Sequence, residues 1–161
     1  MSANTTTGGP GDFDFIIGDW QVNHRRLKSI LSECDQWVEF SGLSSTVYTL
    51  GGFGNVEDNF LDFPDGAFRA KAIRSFDPQS QTWSIWWLDG RLPHALDTPV
   101  IGEFSNGIGV FYADEKINGQ DIKVRFIWNS QQPEAPTWEQ AFSSDDGKTW
   151  ETNWTMQFTR K

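Results

Sequence analysis

The sequence holds one cysteine, Cys34, and only two histidines, His24 and His94. No intrachain disulfide and no thiolate zinc site can be assembled from that set, and the separations among the three residues match no metal-ligand spacing. We therefore expect no metal and no cofactor. Positive charge is also scarce: 13 Lys and Arg against 22 Asp and Glu leave a net charge of −9. That balance opposes binding to nucleic-acid phosphates and to an anionic membrane surface. Nowhere do roughly 18 apolar residues run together, and Met1 to Gly11 has neither the basic start nor the apolar stretch of a secretory signal. The expectation is a cytoplasmic protein with no nucleic-acid and no membrane partner. A phosphate-cradling loop is missing too, because Gly51-Gly52-Phe53-Gly54 falls between strands rather than before a helix.

What the chain has in abundance is aromatic rings. Nine Trp, 13 Phe and two Tyr make up 15% of 161 residues, while 22% are charged. A fold that buries large rings and still presents much polar surface suits strands with one dry and one wet face, whose side chains alternate with period 2. Ile122, Val124, Phe126 and Trp128 fall on one such face, opposite Lys123, Arg125 and Asn129. Trp150, Thr152, Trp154, Met156 and Phe158 repeat the pattern near the C-terminus.

Turn signals recur at short intervals, among them Pro64-Asp65-Gly66, Asn106-Gly107, Asn118-Gly119 and Asp145-Asp146-Gly147. Together with the alternation they predict about ten strands, near 19-27, 36-50, 55-63, 67-76, 82-89, 99-105, 108-117, 120-129, 136-143 and 149-160. At most one short helical turn fits, at Leu27 to Cys34, which is rich in helix formers but too short for more. Consecutive antiparallel strands must expose two edges or close on themselves, so the predicted fold is an all-β, up-and-down antiparallel barrel. The length matches roughly one domain of ~150 residues. We assign residues 12-161 to it and residues 1-11, rich in Thr and Gly, to a disordered tail.

The opening Phe13-Asp14-Phe15-Ile16-Ile17-Gly18-Asp19-Trp20 ends in Gly-x-Trp at the start of the first strand. This resembles the entry signature of calycin barrels such as lipocalins and nitrobindins. With Gly54-Asn55-Val56-Glu57-Asp58-Asn59, Ser84-Ile85-Trp86-Trp87-Leu88-Asp89-Gly90-Arg91 and Trp138-Glu139-Gln140-Ala141-Phe142-Ser143, the chain is similar over residues 12 to 161 to uncharacterised bacterial calycin-like proteins. The resemblance implies the barrel but no agreed activity. A second match, Ser143-x-Asp145-x-Gly147-x-Thr149-Trp150, fits the Asp-box of sialidase-like propellers. It occurs once, and its physical content is a turn whose Asp carboxylate accepts backbone N–H bonds while the Trp packs beneath it.

If Trp20 faces inward, period 2 carries Val22, His24 and Arg26 to the same side and places a titratable ring and a cation in the barrel. Buried charge needs a partner, for which Glu39, Glu57 and Asp89 are the candidates. Arg74 shares a face with Phe68, Ala70, Ala72 and Phe76, and the two alanines would leave space beside Trp87 and Trp154. The expected ligand-binding set is His24, Arg26, Asn55, Asn59, Arg74, Trp87, Asp89, Arg91, Gln140 and Trp154, serving a small hydrophobic or aromatic molecule. The alternative is a cofactor-independent cyclase or isomerase working on an apolar metabolite in the same cavity, with His24 and Glu39 or Glu57 as its acid-base pair. Trp86, sent outward if Trp87 points in, would suit a homodimer contact.

Overall fold

The computed structural model describes residues 8–161. The first seven residues of the expected disordered tail lie outside them. Residues 9 to 12 form a turn tied down by Asp12, whose Oδ2 accepts the Gly9 N–H at 2.9 Å and the Trp83 indole N–H at 3.0 Å.

Ten strands follow: β1 (Gly18–Leu27), β2 (Trp37–Thr49), β3 (Gly54–Leu61), β4 (Phe68–Asp77), β5 (Thr82–Asp89), β6 (Val100–Ser105), β7 (Ile108–Ile117), β8 (Gln120–Asn129), β9 (Thr137–Ser143) and β10 (Glu151–Arg160). Each pairs antiparallel with the next, and β1 pairs with β10, so the sheet closes and no edge remains. This is the up-and-down barrel that the alternation and turn chemistry predict. The turns explain why hairpin follows hairpin. Asn106-Gly107 and Asn118-Gly119 all sit at positive φ, the backbone that tight hairpins require.

Two local expectations are corrected. The segment Leu27 to Cys34 is not helical: it leaves β1 as a series of bends, with Leu31 and Glu33 at φ 53° and 57°. Single left-handed residues interrupt a right-handed helix, and eight residues are too few to resist that. The helical turns are two 3-10 segments instead, Asp14–Ile16 and Leu50–Gly52. In β10 the alternation does not run unbroken, because a bulge between Thr152 and Trp154 inserts Asn153. Trp154, Met156 and Phe158 face inward, whereas Trp150 packs outside against Tyr112 and under the Arg125 guanidinium. A bulge adds one residue to one strand and thereby changes which side chain points in.

The Asp-box residues form the β9–β10 turn. Asp145 accepts the Thr149 N–H at 2.8 Å and hydroxyls from Thr149 and Ser143. These bonds hold its carboxyl down at about 2.

The interior divides into an aromatic floor and a mixed middle. Phe13, the residue before the first 3-10 segment, plugs the end where β1 begins, edge-on to Trp83 at 4.9 Å and to Phe104 at 4.8 Å. The Gly-x-Trp signature serves this plug. Gly18, at φ 117°, turns the chain from the plug into β1, and a Cβ there would lie 2.7 Å from Arg160 Nη1. Two residues on, Trp20 donates its indole N–H to the Ile16 carbonyl at 2.9 Å and lies beneath Arg160, which donates to the Ile17 and Phe15 carbonyls. Outside, Val47, Val56, Ile73 and Trp86 stand side by side across β2 to β5. Among the described residues no helix is long and apolar enough to cross a membrane.

Candidate functional site

The middle of the barrel holds a buried polar chain built from three adjacent strands. Period 2 on β3 sends Asn55, Glu57 and Asn59 inward, and on β4 it sends Ala70, Ala72 and Arg74 inward. Arg74 donates Nη2 to Glu57 and Nη1 to Asn55 Oδ1 at 2.7 Å, while Ser44 of β2 donates to the second Glu57 oxygen at 2.8 Å. Arg74 and Glu57 are each about 2% exposed, so the pair is a desolvated one that holds only because both charges are met. The guanidinium also lies against two mutually perpendicular rings, 5.0 Å from Phe13 and 5.1 Å from Trp128. Such stacking suits Arg, whose planar cation is weakly hydrated.

His24 of β1, opposite Phe40 of β2, is also buried. Its ring stacks on Phe40 at 4.6 Å, and its Nδ1 accepts the Trp154 indole N–H at 3.1 Å. That bond assigns the ring proton to Nε2 and marks the neutral form. Burial, then the Arg26 cation, lower its pKa from 6.5 to about 4. Gly42 makes the room: a Cβ there would come within 2.8 Å of His24 Nε2 and 2.7 Å of the Phe60 carbonyl. Among the described residues no hydrogen bond or ion pair joins His24 to a carboxylate. Glu39 points outward with its side chain 75% exposed, paired with Arg25 at 3.3 Å, and so does not join the interior groups. Its odd-numbered position on β2 is the wet face, since Phe40, Gly42 and Ser44 are the residues turned in.

Arg26, Asp89 and Arg91 gather at the end of the barrel opposite the Phe13 plug. Arg91 bonds Asp89 through Nη2 at 2.8 Å and Nε at 3.1 Å, which holds the Asp89 carboxyl below its ordinary value. Arg26 lies over the Trp154 ring at 4.8 Å, and Arg91 over Phe68 at 3.6 Å. These cations cap rings rather than project into a lumen.

The space that remains is displaced from where the two alanines direct it. Trp87 meets Trp154 edge-on at 5.7 Å and closes the gap between them. An open, ring-lined pocket lies instead across β5 to β9, with a volume of ≈ 270 Å³, lined by Ile85, Trp87, Val100, Val124, Phe126 and Phe142, while a wider groove of ≈ 890 Å³ lies beside Arg26, Phe63 and Arg91. Ala113 sits among the side chains of the ring-lined pocket, whose polar lining is Asp97, Thr98, Glu115, Lys116 and Gln140. Gln140 is oriented by a 2.8 Å bond to Asn153, the bulge residue. Partial burial, with Glu115 and Asp89 nearby, raises the Asp97 carboxyl. Beneath this pocket is a void of ≈ 20 Å³ touching Glu57, Ala72, Arg74, Trp128, Trp138 and Met156, and Ile85, Trp87 and Phe126 line both spaces.

No family model and no curated protein matches this sequence.

The structure thus brings Asn55, Glu57 and Arg74 into one bonded group, sets His24 with Trp154 in a second, and Arg26, Asp89 and Arg91 in a third. Trp87 and Gln140 line the pocket, and Asn59 is buried with its amide nitrogen unpartnered among the described residues. Phe126, Phe142, Asp97 and Glu115 are pocket residues that sequence reasoning did not single out. The first two were legible as inward strand positions; Asp97 was not, because it is carried by the β5–β6 connection, where period 2 has no meaning. Among the described residues no group of three or more His, Cys, Asp or Glu side chains is placed to hold a metal ion.

Proposed function

We propose that the barrel binds a small, largely apolar molecule in the pocket between Trp87, Phe126 and Phe142. The observation that carries this reading is a concave, ring-lined space at the mouth of the barrel, with a few polar groups at its rim. Binding sites commonly combine an apolar lining with a small number of orienting polar groups, and ≈ 270 Å³ is near the lower end of their range. One substituted ring fits that volume. Burying roughly 150 Å² of apolar ligand surface at ~25 cal/mol per Å² contributes about 4 kcal/mol, equivalent to millimolar affinity before any polar contact. The closed ten-strand meander and the Gly18-x-Trp20 entry support a place among calycin-like barrels, where a mouth pocket has room to differ while the wall stays fixed.

The test is a titration with α-methylstyrene, followed by nuclear magnetic resonance of isotope-labelled protein. Saturable shifts are expected at Trp87, Val124 and Phe126, and Ala113→Trp, which fills the pocket, should abolish them. Absence of saturation, or equal shifts in Ala113→Trp, refutes the proposal.

A further inference from the structure

Two donors line the small void beneath the mouth pocket. Arg74 Nε and the Trp128 indole Nε1 are both buried and have no hydrogen-bond partner among the described residues. Both residues line the void of ≈ 20 Å³, which is continuous in its lining with the larger pocket through Ile85, Trp87 and Phe126. Neither group can accept a hydrogen bond, and native interiors rarely leave buried donors unpaired. Among the described side chains that line the void, the strong acceptor is Glu57, whose two oxygens are already taken by Arg74 and Ser44. A void of that size exceeds the roughly 10–15 Å³ that a single water needs, so it admits one oxygen atom.

Charge decides which oxygen. The Arg74 cation is neutralised by Glu57 within the same buried group, and the remaining walls are Ala72, Ile85, Met156 and aromatic rings. A carboxylate or phosphate would bring an unmatched negative charge into this region, whereas a neutral carbonyl brings only acceptor lone pairs. We infer that the preferred ligands are compact neutral molecules with an apolar body and one carbonyl oxygen, the body in the mouth pocket and the oxygen between Arg74 Nε and Trp128 Nε1. This rests on the binding reading above and narrows it to a chemical class. An oxygen atom in the void reproduces the bonds that a water there would make, so displacing that water costs little.

Acetophenone and α-methylstyrene have nearly the same shape and differ in C=O against C=CH₂. Calorimetric titration of both into the wild-type protein should give at least tenfold tighter binding of the ketone, the scale of one well-made bond to a charged donor. Trp128→Phe, which keeps the ring and removes the N–H, should reduce that preference severalfold. The Trp128 indole N–H resonance should move downfield with acetophenone and stay in place with α-methylstyrene. This second readout decides the matter even if Trp128→Phe fails to fold. Equal affinities for the two compounds, or a preference untouched by Trp128→Phe, overturn the inference while leaving the pocket reading intact. Benzoate binding more tightly than acetophenone overturns the choice of a neutral oxygen. If neither aromatic compound binds, the pocket reading and this inference fall together.

Discussion

Acidification should weaken this barrel through one buried ring. In the folded protein His24 is neutral, with its Nδ1 accepting from Trp154 and its pKa lowered from 6.5 to about 4. Protonation would set two N–H groups against each other and add a second cation beside Arg26. The unfolded chain takes up that proton at ordinary cost, so it binds more protons than the folded chain between the two values. Stability from this residue is therefore fully present above pH 6.5 and is lost as pH falls toward 4. Linkage over that interval gives a loss of roughly 2 kcal/mol at pH 5 and roughly 3 kcal/mol at pH 4, relative to neutral pH. Carboxylates elsewhere also titrate in this range, so the measurement is a difference. Urea unfolding of wild type and His24→Asn at pH 7, 5 and 4 isolates the contribution, because asparagine keeps an acceptor for Trp154 but cannot take a proton. The variant should be less stable at pH 7, having lost the stack on Phe40, and should close most of that gap by pH 4. A stability difference independent of pH would refute the assignment of a neutral, buried His24.

Removing one member of the buried pair should be costly: Arg74→Met leaves Glu57 buried without its cation and is expected to lose about 3–5 kcal/mol in urea unfolding. Combining it with Glu57→Leu should recover part of that loss, and a double variant as unstable as the single one would contradict the pairing. Gly42→Ala should cost about 1–3 kcal/mol, since its methyl would press on the His24 ring and the Phe60 carbonyl; an unchanged midpoint would mean that the backbone yields freely there. Asp145→Asn should speed amide hydrogen exchange across the β9–β10 turn at neutral pH. In the wild type the same protection should persist down to the ordinary carboxylate range and fade as pH falls toward 2, because the folded carboxyl is the stronger acid.

Strand number, strand order and the ends of every strand to within two residues were readable from the chain. Side-chain alternation and turn geometry are local properties: Asn118-Gly119 adopts positive φ whatever surrounds it, and Ile122 to Trp128 can bury only one face. The same local rule placed Glu57 and Arg74 on inward faces, although it could not choose among Glu39, Glu57 and Asp89 as the acid that meets the inward charges, and for Glu39 the difficulty lay in its own strand. Its placement depends on which parity of β2 faces inward, and β2 carries Trp37 and Leu43 on the outer parity against Val38 and Phe40 on the inner one. Its apolar content is nearly balanced between faces, so its sequence is a poor witness.

The sequence by itself determined a closed antiparallel barrel, because hairpin turns and period 2 act over a few residues and closure follows from having no edge to spare. Tertiary structure alone decided where empty space lies. The β10 bulge set Trp154 opposite Gln140, the Trp87 and Trp154 rings met and left only a small void beside Ala72, and a larger ring-lined pocket opened at Ala113 between β5 and β9. A cavity is what remains after all side chains have packed, a sum over residues distant in the chain, and no local pattern records it.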